Sequence, residues 1–296
     1  MDFLLQALIS GLLIGGVYSA VAVGLSLAFG VMRIINWAQG EFLMVSMYIS
    51  FFIFIGTGMN PYLIMFISGI LMFGVGYLLQ SRIISNILAR ETEREPISVL
   101  LFTAGLGMFL TNLVMVLFGS NPRPVITQYT GMMLNPGNVM ISVPRLISFV
   151  IAIACSLALY IFLKRTETGR AIRAVSQNRT VATLMGIDQR KIFCLAFGIS
   201  IGLVGVGGAL LLPFYPSSPM VGAVFGFRAF VVVILGGKGS VLGALYGGLI
   251  VGVIERVVGL YQSDTIAQMV VFIIFVGILL FRPNGLMGEK DMQGHG

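Results

Sequence analysis

Only a few side chains in the apolar stretches of this sequence could do chemistry: Glu41, Cys155, Cys194, Arg228, Glu255 and Arg256, while the single histidine, His295, lies in the C-terminal tail. General acid-base or nucleophilic catalysis needs a base within reach of a nucleophile, and a metal site needs clustered His, Cys or carboxylate ligands. A lone tail histidine supplies neither, and a carboxylate pair would require Glu41 and Glu255 to meet. Both cysteines sit in apolar runs and read as packing residues. The run Gly236-Gly237-Lys238-Gly239-Ser240 imitates a phosphate loop, but Val232 stands where the first glycine belongs and Gly239 separates Lys238 from Ser240. It reads instead as a tight cytoplasmic turn between two membrane segments. An enzyme is not expected, and no catalytic, cofactor or metal site is assigned. The absence of a row of buried Asp, Glu or His also argues against a proton relay or a sodium site. Arg228 lies a third of the way into its apolar segment. Glu255 and Arg256, near the outer end of theirs, read as snorkelling to the interface.

The elements that position these residues follow from composition. Hydrophobic residues make up 57% of the 296 and charged residues 10%, far from the quarter charged in a soluble domain. With 38 glycines and two cysteines, the chain is neither disordered, nor a coiled coil, nor disulfide-stapled. The net charge of +7 falls in blocks between apolar runs, which excludes a nucleic-acid surface and points to membrane topology. Spanning helices of about 20 residues are expected near 3–29, 41–57, 61–82, 97–118, 145–163, 191–212, 221–237, 240–260 and 265–281. A barrel is excluded because stretches such as 149–163 are apolar on every face. The fold class is all-α: a polytopic transmembrane helix bundle of eight or nine spans. The soft segments are 221–237, which holds Arg228, and the polar interruption after Phe29. Either fits a broken or re-entrant stretch, which is tolerated only where protein or a cavity supplies hydrogen bonds.

Basic residues in short loops set orientation. Residues 164–191 carry Lys164, Arg165, Arg170, Arg173, Arg179, Arg190 and Lys191, and 82–96 adds Arg82, Arg90 and Arg94. Placing both loops in the cytoplasm brings Arg33, Lys238, Arg282 and Lys290 to the same side, with the N-terminus outside and the C-terminus cytoplasmic. Residues 1–296 form one transmembrane domain, with a cytoplasmic loop at 164–190 and a cytoplasmic tail at 282–296. The Ala20-Val21-Ala22 triplet imitates a signal cleavage site, but the Met1-Asp2 start lacks a basic region, so the first apolar run is expected to stay as a span. Glycines spaced by four, at Gly11/Gly15, Gly198/Gly202, Gly222/Gly226, Gly243/Gly247 and Gly248/Gly252, predict close helix packing.

The loop 164–191 is too polar to span and too patterned for a slack linker. Ala171, Ile172, Val175 and Ala182 recur at helical spacing, with Thr168 able to cap a helix and Gly186 to end it. Such a basic amphipathic helix lies on headgroups or enters a partner's groove; its lack of large aromatics favours a protein partner.

Three stretches resemble the branched-chain amino-acid ABC importer permeases, specifically the smaller of the two permeases in that system. They are 24–42, around Arg33-Ile34-Ile35-Asn36-Trp37-Ala38-Gln39-Gly40-Glu41; Thr168-Gly169-Arg170-Ala171-Ile172-Arg173-Ala174 with Asn178, Ala182, Gly186 and Ile187; and 232–240 with Gly243, Ala244, Gly247 and Gly248. Related permeases for urea, short amides and sugars share parts of them. The resemblance implies a bacterial inner-membrane, multi-pass permease paired with a second homologous permease, two cytoplasmic ATP-binding subunits and a periplasmic substrate-binding protein. It also implies that ATP and magnesium bind the partners, with no cofactor on this chain. By the same resemblance 164–190 is a coupling loop, to which Gly169, Arg170, Ala171, Ile172, Arg173 and Gly186 are carried over. It also points to Asn36–Glu41 as translocation pathway, so that Asn36, Gln39, Gly40 and Glu41 are pathway candidates. Asn112, a polar residue midway through an apolar span, is a further one, with inter-helix hydrogen bonding as its other reading. The expected cargo is leucine, isoleucine and valine. The alternatives are urea, short amides or another small polar nutrient within ABC import, and a stand-alone channel or ion-coupled carrier outside it.

Overall fold

Where lipid offers no hydrogen-bond partners a helix satisfies its backbone within the segment, so each long apolar run of this chain folds as one. The computed structural model of the protein describes residues 2–90, 97–135, 139–282 and 284–288. Arg94, Lys290 and His295 lie outside the described residues. In chain order the helices are α1 (Asp2–Met32), α2 (Gln39–Thr57), α3 (Pro61–Leu79), α4 (Ser85–Leu88), α5 (Ile97–Phe118), α6 (Val143–Arg165), α7 (Glu167–Gln177), α8 (Arg179–Leu184), α9 (Gln189–Leu211), α10 (Val221–Gly236), α11 (Val241–Tyr261) and α12 (Asp264–Phe281). A π-helical turn, Gln80–Ile84, joins α3 to α4, and β1 (Met133–Leu134) pairs antiparallel with β2 (Ile141–Ser142).

Among the described residues eight helices are long and apolar enough to cross a membrane, α3 and α4 counting as one. The 16-residue α10 is a ninth apolar segment, about 24 Å long at 1.5 Å per residue. The polytopic all-α bundle expected from composition is the fold observed, with a helix at each expected span.

The core is organised around α1, which packs against α6, α9, α10 and α11. The glycine spacing explains how closely. A Cβ on Gly11 would lie 2.7 Å from the Gly252 carbonyl oxygen, and one on Gly15 would lie 2.7 Å from that of Gly248. Two of the predicted glycine pairs therefore pack on each other, backbone against backbone. Buried hydroxyls tie other helices together: Ser19 donates to the Leu245 carbonyl at 2.7 Å, Ser46 to Gly205 at 2.6 Å and Ser148 to Leu210 at 2.9 Å.

The loops sort to two ends. At one, Gly30 packs on Gly239, the Arg190 guanidinium donates to the Ser81 carbonyl at 3.0 Å, and the Leu286 N–H donates to the Leu235 carbonyl at 2.8 Å. At the other, Gln6 bonds Met140, Asn60 bonds Tyr129, and Arg123 exchanges backbone bonds with Ser217. Arg33, Lys238 and Arg282 collect with the α7–α8 loop at the first end, as the charge pattern predicts. The Gly236–Ser240 run is a turn between α10 and α11, with Gly237 and Gly239 at positive φ and the Ser240 hydroxyl capping α11 through the Gly243 N–H at 3.0 Å. The chain beyond α12 docks on this turn, where Leu286 and Met287 N–H groups satisfy the last carbonyls of α10.

Candidate functional site

α1 ends at Met32, and the chain turns at Arg33, whose φ of 52° places a non-glycine residue in the left-handed region. Residues 33–38 are not helical and lead back into the bundle. Gly40 lies against Gly222 and Gly226 of α10, where any Cβ would strike the Gly222 carbonyl. From Gly226 about 15 Å of helix remains before α10 ends beside Gly30 and Gly239. The start of α2 therefore sits near the middle of a roughly 30 Å hydrocarbon core. The chain continues through α2 to the opposite end, where Asn60 meets Tyr129, so the polar break legible in the sequence is the unwound start of a broken span.

Irregular backbone at that depth needs internal partners. The Asn36 carbonyl Oδ1 accepts from the Ala38 N–H at 3.2 Å, and its Nδ2 donates to Gln39 Oε1 at 2.9 Å. The Trp37 N–H donates to Thr103 Oγ1 of α5 at 3.1 Å. Asn36 and Gln39 are each 1% exposed. Gln39 Nε2 has no hydrogen-bond partner among the described residues. Leaving such a donor unsatisfied costs about 1–3 kcal/mol.

Glu41 is half-buried in the first turn of α2, where the helix dipole favours a carboxylate. Gly107 of α5 makes room for it, since a Cβ there would lie 3.4 Å from the carboxyl. Glu41 forms no ion pair among the described residues. Trp37, a residue the sequence reading left without a role, is 57% exposed beside this group and leans on Phe230 of α10. Asn36, Gln39, Gly40 and Glu41 are thus brought together. Asn112 is not among them: it is exposed on α5, and its amide donates to the Met108 carbonyl of its own helix at 2.7 Å.

Glu255 does not snorkel. Arg228 Nε donates to both of its oxygens at 3.1 Å, and Arg228 Nη2 donates to Oε1 as well. The side chains are 13% and 12% exposed, and the guanidinium rests against the rings of Tyr18 and Phe225, at 5.4 and 5.6 Å, while the two rings pack edge-on against each other. The counter-charge stands on the neighbouring helix, so the pair forms inside the bundle. Its carboxylate is therefore engaged by Arg228 and does not pair with Glu41. Opposite charges in two adjacent apolar segments were the signal for it.

The basic loop is two helices, not one. Thr166 rather than Thr168 caps α7, because Thr166 has extended backbone and its hydroxyl accepts the Gly169 N–H at 3.0 Å. Asn178 is extended too (φ −151°), ends α7 and caps α8 through the Val181 N–H at 3.1 Å. Gly186 closes α8 as expected, with φ +84° and Ile187 N–H donating to Ala182 O at 3.1 Å. Ile172, Val175 and Ala182 are buried in the chain's own core, and Ala171 is half-buried. Gly169 is buried on α6, where a Cβ would meet Leu163 Cα at 2.6 Å. Gly169 and Ile172 thus seat the element, while Arg170, Arg173 and Gly186 face outward. An apolar tip missed by the sequence reading joins them: Leu184 and Met185 are 81% and 79% exposed, with Val181 alongside. A periodicity reading counts such residues toward a core, so their exposure shows only in three dimensions.

Over residues 7–279 the chain matches the family described as branched-chain amino acid transport system / permease component. It is 28% identical to the high-affinity branched-chain amino acid transport system permease protein LivH of Escherichia coli K12, covering 98% of this chain and 97% of that one. It is 30% identical to the corresponding permease BraD of Pseudomonas aeruginosa, again over 98% and 97%. The ribose import permease RbsC of Haemophilus influenzae is 29% identical over 48% of this chain and 46% of its own length.

Proposed function

The chain belongs to the branched-chain amino acid transport permease family, and from that membership we propose that it is the permease subunit of an ATP-driven importer for leucine, isoleucine and valine. In this reading it works beside a second homologous permease. Two cytoplasmic subunits bind ATP and magnesium, a periplasmic protein delivers the solute, and the C-terminus is cytoplasmic. Residues 1–296 act as one transmembrane unit, with 164–190 as the coupling loop.

The observation that carries the reading is the division of labour in α7 and α8. Their apolar stripe is spent on the chain's own helices, while Arg170, Arg173, Val181, Leu184 and Met185 stay outward at the basic end. A basic rim around an apolar tip suits a groove on a protein partner. The broken span at 33–41 supports a passage. Glu41 offers a carboxylate to an ammonium, and Trp37 and Phe230 offer apolar surface beside it. An importer fed by a binding protein needs no tight site in the membrane.

Reconstitution tests this. The chain alone in liposomes should be silent. Adding the partner permease, ATPases and loaded binding protein should give ATP-dependent uptake of leucine, isoleucine and valine. Uptake by the chain alone would show a channel or carrier, and uptake of urea or acetamide in preference would assign a different cargo.

A further inference from the structure

The last carbonyls of a helix lack intrahelical partners. The carbonyl of Met32, where α1 ends, is met by Nη2 of Arg179, the first residue of α8. A cation at a helix C-terminus is favourable, and the guanidinium is braced over the Phe193 ring of α9 at 5.1 Å. Burial and, after it, the nearby Arg33 cation lower the Arg179 pKa, yet an arginine keeps its charge at neutral pH. The peptide held by this contact is the one that leads into Arg33. A left-handed non-glycine residue persists only where its surroundings hold it, and from that turn the chain runs through buried Ile34 to Asn36 and Gln39. The other end of α8 presents Leu184 and Met185.

We propose that Arg179 is a positioning residue that links the docking tip of α8 to the broken span, so that displacement of α8 is delivered to Asn36–Glu41 through the Met32–Arg33 peptide. The inference rests on the permease reading above. It separates two roles within one short helix: Leu184 and Met185 hold the ATPase, and Arg179 passes on its movement.

The test is solute moved per ATP hydrolysed by the complete complex in liposomes. Arg179→Ala should still bring down the ATPases, but move at least tenfold less solute per ATP. Arg179→Lys, a cation that still reaches the Met32 carbonyl, should recover more than half of the ratio. An unchanged ratio in Arg179→Ala, or a Lys variant as uncoupled as the Ala variant, would overturn the proposal. Should Arg179→Ala fail to assemble, Arg33→Gly decides. It keeps Arg179 and its Met32 contact but frees the backbone at residue 33, so a fallen ratio supports the link and an unchanged one overturns it. Failure of the unmodified complex to import at all would instead refute the permease assignment.

Discussion

Replacing Glu255 by Leu should strand a charge inside the bundle. Arg228 is 13% exposed, rests against two aromatic rings and gives three hydrogen bonds to Glu255. Removing one partner of such a pair costs about 3–5 kcal/mol, because the survivor is left buried and unpaired. Arg228→Met should cost a similar amount for the converse reason. The double variant removes both charges and fills the space with apolar side chains, so its cost should stay below about 1.5 kcal/mol. The coupling between the two sites is then several kcal/mol, and each 1.4 kcal/mol is a factor of ten in the folded-to-unfolded ratio. Denaturant or thermal unfolding of the detergent-purified chain, run as a double-mutant cycle, measures it. Additive losses, with the double variant as unstable as both singles together, would refute the claim that the pair acts as one buried unit.

Asn36→Ala strands the Ala38 N–H and the Gln39 carbonyl, at about 1–3 kcal/mol; uptake should fall while the ATPases still come down in a pull-down, and loss of the ATPases as the only defect would contradict the pathway placement. Gly40→Val places methyl groups where α10 backbone lies, an overpacking cost of about 1–3 kcal/mol, and should abolish uptake, whereas Gly74→Val, at a glycine with open space around it, should be tolerated; equal tolerance at both in an uptake assay would count against the α2–α10 contact. Leu184→Asp with Met185→Asp should leave the chain inserted but release the ATPases, and normal co-purification would remove the docking surface. Gly169→Glu should unseat α7 from α6 and expose it to protease, while Arg173→Glu should weaken ATPase binding with α7 still protected; the same proteolysis pattern in both would contradict their different placement.

Much of this architecture is written locally in the sequence. Apolar runs of spanning length, turn glycines such as Gly237 and Gly186, and small residues at four-residue spacing act within one helix or one turn, so their consequences need no tertiary knowledge. The polar break at 33–41 was visible for the same reason. What escaped was set by neighbours distant in sequence. The Arg228–Glu255 pair depends on α10 lying beside α11, and the Arg179–Met32 contact joins residues from opposite halves of the chain. The split of the basic loop turned on Asn178, whose side chain favours a cap over a helix interior but does so only where the backbone extends. The exposed Leu184 and Met185 follow the split, since breaking the helix at Asn178 re-aims everything after it. The π-helical turn at Gln80–Ile84 carries no signature in its residues that we can identify.

The central claim is that α8 presents its apolar tip to a motor on the cytoplasmic side, and accessibility at Met185 tests it most directly. In a Met185→Cys variant on a background with Cys155 and Cys194 replaced by Ala, a membrane-impermeant maleimide should leave intact bacteria unlabelled. It should react in inside-out vesicles, and added ATPase subunits should block that reaction. Labelling of Cys at position 185 in intact cells would place the element on the wrong side of the membrane and contradict the account.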